Sequence, residues 1–407
     1  MHWRYGIGAA AVVWVALMAR LMIADVWDET NGMVYFSDPS RSMGEMALFV
    51  LTQSISFWRP LATLLAAAVL HYFPDYDVSW RILRAINMAF LLGAFALLAD
   101  ALARFNREVT PRERFLFTCA ALFSGGAVIT AGWYANIFDA SALFCIACGL
   151  ALLARGRSLT AGLVLGVGFF CKEVTALALP FLVVLLAARR ITFRDALRAG
   201  IPAFALGLVY FVLRGRIIAL GGPYDTHRFE LDHLLPTVMN LGRTFWFGTV
   251  KAGPWVWLGA VFTIASVLIL RRPRLIAAMT AFLGAAVFIY WGMFDVLQVD
   301  LIDASNFAGR MYLVPVTLFL FLLALERRTV AICVLLLPIL YGAGLTYRDH
   351  TRFQRLYVQI YRAAPTTIHY PGKPLDDRVR GLRIGDIPDA PLTINTKRAR
   401  LEPRAAR

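Results

Sequence analysis

Lysine is nearly missing from this chain of 407 residues: Lys172, Lys251, Lys373 and Lys397 stand against 37 arginines. With abundant alanine, that is the composition of a GC-rich bacterial genome. Charge of either sign is thin at 16%, and no polar stretch long enough for a soluble domain precedes the last sixty or so residues. Cysteine is scarce too. Cys119, Cys145, Cys148, Cys171 and Cys333 all fall in apolar segments, so no disulfide framework is implied. Cys145-Ile-Ala-Cys148 has the spacing of a metal pair, but no second pair or histidine accompanies it, and such cysteines serve as small packing residues. The chain lacks H-E-x-x-H, a Walker A loop, G-x-S-x-G and G-x-G-x-x-G, which excludes the chemistries those motifs carry.

What is present is apolar. The chain is 59% hydrophobic with a mean hydropathy of +0.64. A helix crossing the hydrocarbon core needs about 20 apolar residues. Length and hydropathy predict an all-α polytopic membrane protein of about eleven spans: 5–24, 80–103, 115–131, 136–154, 158–171, 174–188, 197–219, 254–270, 275–291, 311–325 and 329–346. Segment 5–24 is expected to be a retained span, since Arg20 interrupts it and no A-x-A site follows. Segment 59–73 covers about 22 Å, short of a core of roughly 30 Å, and reads as an interfacial or re-entrant helix.

Charge orients these spans. With the N-terminus inside, 16 arginines fall on cytoplasmic segments, among them Arg104, Arg107, Arg112, Arg114, Arg189, Arg190, Arg271, Arg272, Arg327 and Arg328. External loops 25–79, 221–253 and 292–309 hold Arg41, Arg59, Arg228, Arg243 and Lys251, but 13 of the 26 acids. The positive-inside bias therefore predicts a cytoplasmic N-terminus and a C-terminus outside. The net charge of +15 is thus a matter of topology, and no basic stripe suggests a nucleic-acid partner.

The first external loop, 25–79, is long. It carries an amphipathic stretch from Met43 to Trp58 and then the short helix, with Trp58, Tyr72, Phe73 and Tyr76 as interface anchors. Two such helices would roof a cavity. The loop 221–253 holds Asp225, His227, Glu230, Asp232 and His233, with the histidines expected at the surface rather than on a metal. The loop 292–309 holds Asp295, Asp300 and Asp303. Residues 1–346 form the expected membrane domain, and 347–407 a basic external tail. Phe353, Leu356, Tyr357, Ile360 and Tyr361 in that tail follow helical spacing for a helix lying on the membrane. Beyond it, five prolines from Pro365 to Pro391 exclude long helices; short strands or irregular chain to about 395, then disorder, are expected. Gly162, Gly166 and Gly168 suit close helix packing.

Charge at helix ends in a membrane is costly unless it faces a cavity or performs chemistry. Asp25, Asp28 and Glu29 cluster just beyond the first span. Lys172-Glu173 interrupts an apolar double span, as an anion site or as a snorkelling lysine paired with its neighbour. Arg81, Arg84, Arg214, Arg216 and Arg310 stand at the same outer ends, as phosphate ligands or as interface anchors. Cations at headgroup depth facing carboxylates suit transfer of a sugar from a polyprenyl phosphate. Phosphate is a good leaving group that fixed cations stabilise, and a single carboxylate base then suffices for the acceptor hydroxyl. No cofactor is required, nor a metal, though the acidic loops could bind one. A flippase of lipid-linked sugars, or a ligase or polymerase with a diphosphate donor, would use the same cations.

Three stretches resemble the GT-C superfamily of polyprenyl-phosphate-sugar-dependent glycosyltransferases, which includes protein O-mannosyltransferases and the aminoarabinose transferase of lipid A. Asp25-Val26-Trp27-Asp28-Glu29 lies where the family has its acidic motif. Trp133-Tyr134-Ala135-Asn136-Ile137-Phe138-Asp139, followed by Phe170-Cys171-Lys172-Glu173-Val174-Thr175 with Pro180, is similar to its fourth span and K-E-T…P turn. Gly309-Arg310-Met311-Tyr312-Leu313-Val314-Pro315 is similar to its R-Y-L-Y-x-P stretch. Asp25 departs by competing with Asp28-Glu29, and Val174 by replacing a residue that is often polar. The tail has no counterpart. The resemblance implies Asp28 as base, Glu29 or Asp25 in support, and Lys172 and Arg310 on the donor phosphate; Arg81, Arg84 and Arg214 join them by position. It implies an inverting enzyme of the inner membrane, with a periplasmic active site and a glycan, lipid or protein acceptor.

Overall fold

The computed structural model describes residues 2–21, 42–52, 58–73, 76–133, 136–219, 231–248, 250–292, 312–362, 392–395 and 400–403. Within them the chain is helical: α1 (His2–Arg20), α2 (Met43–Thr52), α3 (Pro60–Tyr72), α4 (Tyr76–Phe105), α5 (Pro111–Leu122), α6 (Gly125–Gly132), α7 (Ile137–Ala154), α8 (Ser158–Gly168), α9 (Ala178–Ala187), α10 (Phe193–Ala219), α11 (Leu231–Thr244), α12 (Leu258–Leu268), α13 (Pro273–Trp291), α14 (Leu313–Leu325) and α15 (Thr329–Arg362). Short 3-10 turns, Glu173–Leu177 and Val250–Trp257, precede α9 and α12. A two-stranded antiparallel ribbon, β1 (Leu392–Asn395) and β2 (Arg400–Pro403), pairs Ile394 with Leu401.

Where described, the apolar segments read from the sequence are helical, with 115–131 divided between α5 and α6 and with 174–188 and 254–270 opening in 3-10 turns. Five helices are long and apolar enough to cross a membrane, or six if α5 and α6, bent by 56° at their junction, count as one. This is a multi-pass membrane protein. Its outward face fits that solvent: Ile201, Phe204 and Leu208 on α10 are 64%, 61% and 55% exposed. Such a row would be a liability in water and has no cost against lipid tails. By contrast, α14 is buried along its whole length and forms the axis around which α5, α7 and the first 3-10 turn pack.

Local chemistry explains the breaks. Thr110 and Glu113 form a capping box before Pro111 at the start of α5, satisfying amides that helix ends leave free. Ser124 accepts from Ala127 N (3.3 Å) and starts α6 after the bend. Where α8 packs on α10, a β-carbon at Gly166 would lie 2.5 Å from Leu206, and one at Gly162 would strike Ala199 O, so these glycines let the backbones approach.

Four corners at one end of the bundle share a design. After α7, Gly156 takes the left-handed conformation (φ 76°); after α9, α12 and α14 that place is held by Arg189 (58°), Arg271 (61°) and Arg327 (55°). The geometry satisfies terminal carbonyls, as in Arg190 N to Leu185 O (2.9 Å) and Arg328 N to Leu323 O (2.8 Å). A side chain there costs roughly 1 kcal/mol or more relative to glycine.

The expected pair of helices in 43–73 is present as α2 and α3, which pack against one another, with α3 also packing onto α4 and α7. The helix expected from Phe353 is continuous with the last apolar segment in α15. Strand β2 lies beyond residue 395, where the composition predicted disorder; pairing with β1 gives its backbone partners.

Candidate active site

The corner between α8 and α9 is where charge enters the bundle. Gly168 ends α8, Lys172 N donates to Gly168 O (3.0 Å), and Thr175 Oγ1 donates to the same carbonyl (2.9 Å). A β-carbon at Gly168 would lie 2.7 Å from the Thr175 side chain. This tight fold-back places Lys172 and Glu173 in the interior, each only 4% exposed. They do not pair with each other. Lys172 Nζ donates to Asp139 Oδ1 on the first turn of α7 (2.6 Å), and Glu173 accepts from Arg59 through both oxygens (2.6 and 3.1 Å). Asp139 and Arg59 are 2% and 7% exposed.

The second pair reaches across the fold. Arg59 directly precedes α3, and its guanidinium lies 5.2 Å over the ring of Phe138, the neighbour of Asp139. Leu61 N donates to Phe170 O (3.1 Å), so α3 is fastened to the α8–α9 corner by backbone and by charge. Trp58 is buried beside it, stacked on Tyr210 at 5.5 Å and edge-on to Phe170 at 6.0 Å, and the Tyr210 hydroxyl donates to Trp58 O (3.0 Å). Expected as an interface anchor, Trp58 is instead an interior residue, because the fold-back of Phe169-Phe170 supplies an aromatic wall for it.

Arg214, one turn beyond Tyr210 on α10, is also buried and within electrostatic range of Glu173. Among the described residues, three cations thus face two carboxylates. Tyr290 at the end of α13 lies within electrostatic range of Asp139 and Glu173, and its ring is 5.7 Å from that of Tyr312, at the start of α14. The arrangement can hold an anion: fixed cations in a low-dielectric interior bind phosphate oxygens strongly. Among the described residues, no group of three or more His, Cys, Asp or Glu is placed to hold a metal ion.

Of the residues singled out in the sequence, Lys172 and Arg214 come together here. Arg84 is buried and donates to the carbonyls of Met18 and Leu21, closing the end of α1. Beside it, Asn87 donates to Thr130 O (3.2 Å) and Trp133 O (2.9 Å) at the end of α6. Arg81, also on α4, is exposed. Asp25, Asp28 and Glu29, which follow Leu21, and Arg310, two residues before Tyr312, lie outside the described residues, as do Asp225, His227, Glu230, Asp295, Asp300 and Asp303. His233 is half-buried on α11. Sequence reasoning gave no site role to Arg59, Asp139, Tyr210 or Tyr290, though Asp139 closes the family-like Trp133–Asp139 stretch. Asp139 alone carried a signal, as an acid inside an apolar run.

No protein-family model and no curated protein matches the sequence. Among solved structures, the chain resembles the S. cerevisiae protein O-mannosyltransferase Pmt1-Pmt2 complex bound to the sugar donor (TM-score 0.34, 16% identity, 54% of this chain and 34% of that one). This chain therefore spans about a third of that protein's length. It also resembles ArnT from Cupriavidus metallidurans, both bound to undecaprenyl phosphate (TM-score 0.39) and in the apo state (0.37), each at 13% identity over 94% of this chain and 84% of that one. At such identities and scores these likenesses assign no residue, substrate or activity to this chain.

Proposed function

We propose that the chain is a GT-C-type glycosyltransferase that moves a sugar from a polyprenyl monophosphate to a cell-envelope acceptor at the outer face of the inner membrane. The observation that carries this reading is the charged corner itself: Lys172–Asp139 and Arg59–Glu173 are buried ion pairs, with Arg214 adding a third cation. Burying such pairs costs desolvation energy that apolar residues would not incur, and intramembrane charge marks a working site.

In this reading Lys172, Arg214 and Arg310 hold the donor phosphate. Asp139 and Glu173 fix the positions of Lys172 and Arg59. Arg84 closes the end of α1 and steadies the root of the acidic loop, and Asp28 in that loop, supported by Glu29 or Asp25, is the base. The acceptor hydroxyl oxygen bonds to the anomeric carbon as that carbon's bond to the phosphate oxygen breaks. The electron pair leaves with polyprenyl phosphate, whose charge the cations stabilise, and the hydroxyl proton passes to Asp28. One in-line displacement inverts the anomeric centre.

The test uses purified full chain with a panel of labelled polyprenyl-phosphate sugars. Asp28→Asn is expected to lose turnover on the order of 100-fold while keeping donor binding, since it removes only the proton acceptor. Lys172→Ala is expected to weaken donor binding itself, by roughly tenfold or more. A lipid-sugar flippase predicts the reverse order, with Asp28→Asn nearly silent and Lys172→Ala dominant. Full activity in Asp28→Asn and in Asp25→Asn alike would remove the carboxylate base and with it the proposed chemistry.

A further inference from the structure

The end of the bundle opposite Lys172 carries a second charged constellation that the proposed reaction does not use. Each of the three corners with a left-handed arginine carries a second arginine directly after it: Arg189-Arg190, Arg271-Arg272 and Arg327-Arg328. These second arginines converge. Arg190 and Arg272 both bond Glu326, at 3.0 and 3.3 Å, and Arg328 reaches back to Leu270 O at 3.4 Å. Glu326 is only 3% exposed. Around them lies an open cleft of about 430 Å³.

The acids of this cleft are already answered. Glu326 is shared by two arginines; Glu113 accepts from Arg327 and from Thr329, both at 3.3 Å, and Glu108 accepts from Arg327 at 3.1 Å. The cations outnumber them. Among the described residues four arginines line the cleft against three glutamates, and Arg328 donates to the Leu270 carbonyl rather than to an acid. That surplus of positive charge favours an anion in the cleft.

The surroundings say where that anion comes from. Next to the corners, apolar side chains stand exposed: Phe193 at 65%, Leu268 at 61% and Val330 at 73%. In a protein that crosses the membrane, cations at helix ends with apolar faces running away from them match a phospholipid, headgroup above and chains below. We infer that this cleft binds the phosphodiester headgroup of an anionic phospholipid in the leaflet opposite the Lys172 site. Arg190 and Arg328 take the phosphate oxygens, and the acyl chains lie along Leu268 and Val330.

The experiment measures binding of phosphatidylglycerol, phosphatidylcholine and inorganic phosphate to the full chain in detergent, by native mass spectrometry and by thermal shift. Wild type is expected to prefer phosphatidylglycerol to phosphatidylcholine by about tenfold or more. Arg328→Gln and Arg190→Gln are expected to remove most of that preference. Arg112→Gln and Arg194→Gln, exposed arginines near the same end, are expected to keep it. Should Arg328→Gln fail to fold, Arg272→Gln, whose side chain is 57% exposed, reads the same site. Equal loss in the Arg112 and Arg328 variants would mean diffuse attraction to a basic surface and overturn the inference. Inorganic phosphate binding as tightly as phosphatidylglycerol would overturn the lipid assignment.

Discussion

Arg59 and Glu173 are separated by 114 residues and joined by two hydrogen bonds in the interior. Glu173→Gln takes a bidentate carboxylate away from a buried guanidinium, which destabilises by about 3–5 kcal/mol. The double variant Arg59→Met/Glu173→Gln removes the stranded charge and is expected to be more stable than Glu173→Gln alone. Thermal unfolding of the two proteins checks this, and a double variant worse than the single would mean the pair is not coupled. Asp139 poses the complementary question. Asp139→Asn removes the carboxylate that positions Lys172, so donor affinity and unfolding temperature are both expected to fall. At this scale the sequence was readable in part. Lys172 and Glu173 stand out because two charges interrupt an apolar run. Arg59 does not, since an arginine before a proline in an external loop looks like any solvated residue until the α8–α9 corner folds beneath it. Trp58 misled for the same reason: an aromatic near a membrane interface and one stacked on Tyr210 read alike along the chain.

Helices were the most legible layer, because a long apolar run in lipid has no alternative to closing its own hydrogen bonds. Their packing was legible at the glycines. Gly166 meets Leu206 and Gly162 meets Ala199 and Pro202, so α8 and α10 lie closer than larger residues permit. Gly166→Ala is expected to cost about 1–3 kcal/mol by overpacking, read as a lower unfolding temperature. Gly284, where a β-carbon meets nothing within 4 Å, is the control, and Gly284→Ala is expected to leave stability unchanged or slightly raised. What the pattern concealed was how elements end. The bend at Ser124 hides inside a continuous apolar stretch, and the left-handed corners are filled by arginine, which carries no signal for that conformation. Hydrogen bonds and ion pairs to Glu113 and Glu108 hold the Arg327 guanidinium above its ordinary pKa, so that corner keeps its charge at any pH the protein meets.

The two charged constellations sit at opposite ends of the same helices. α9 runs from the Lys172 corner to Arg190, and α14 from Tyr312 to Glu326. If the arginine-doublet end is cytoplasmic, as the charge bias of the loops predicts, the Lys172 site opens outside, where a polyprenyl-linked sugar meets envelope acceptors. Orientation can be tested without any activity. In a background with the native cysteines replaced by alanine, Asp389→Cys is expected to react with an impermeant thiol reagent in intact cells opened only at the outer membrane. Arg194→Cys, beside the Arg189-Arg190 corner, is expected to react only after the inner membrane is permeabilised. The two sites must answer oppositely, because one follows α15 and the other lies nine helices deep at the doublet end. The reverse labelling pattern would turn the molecule over, moving the proposed donor site to the cytoplasm and the lipid cleft to the outer leaflet. The ion pairs would be untouched by that result, and the substrate reading would fall.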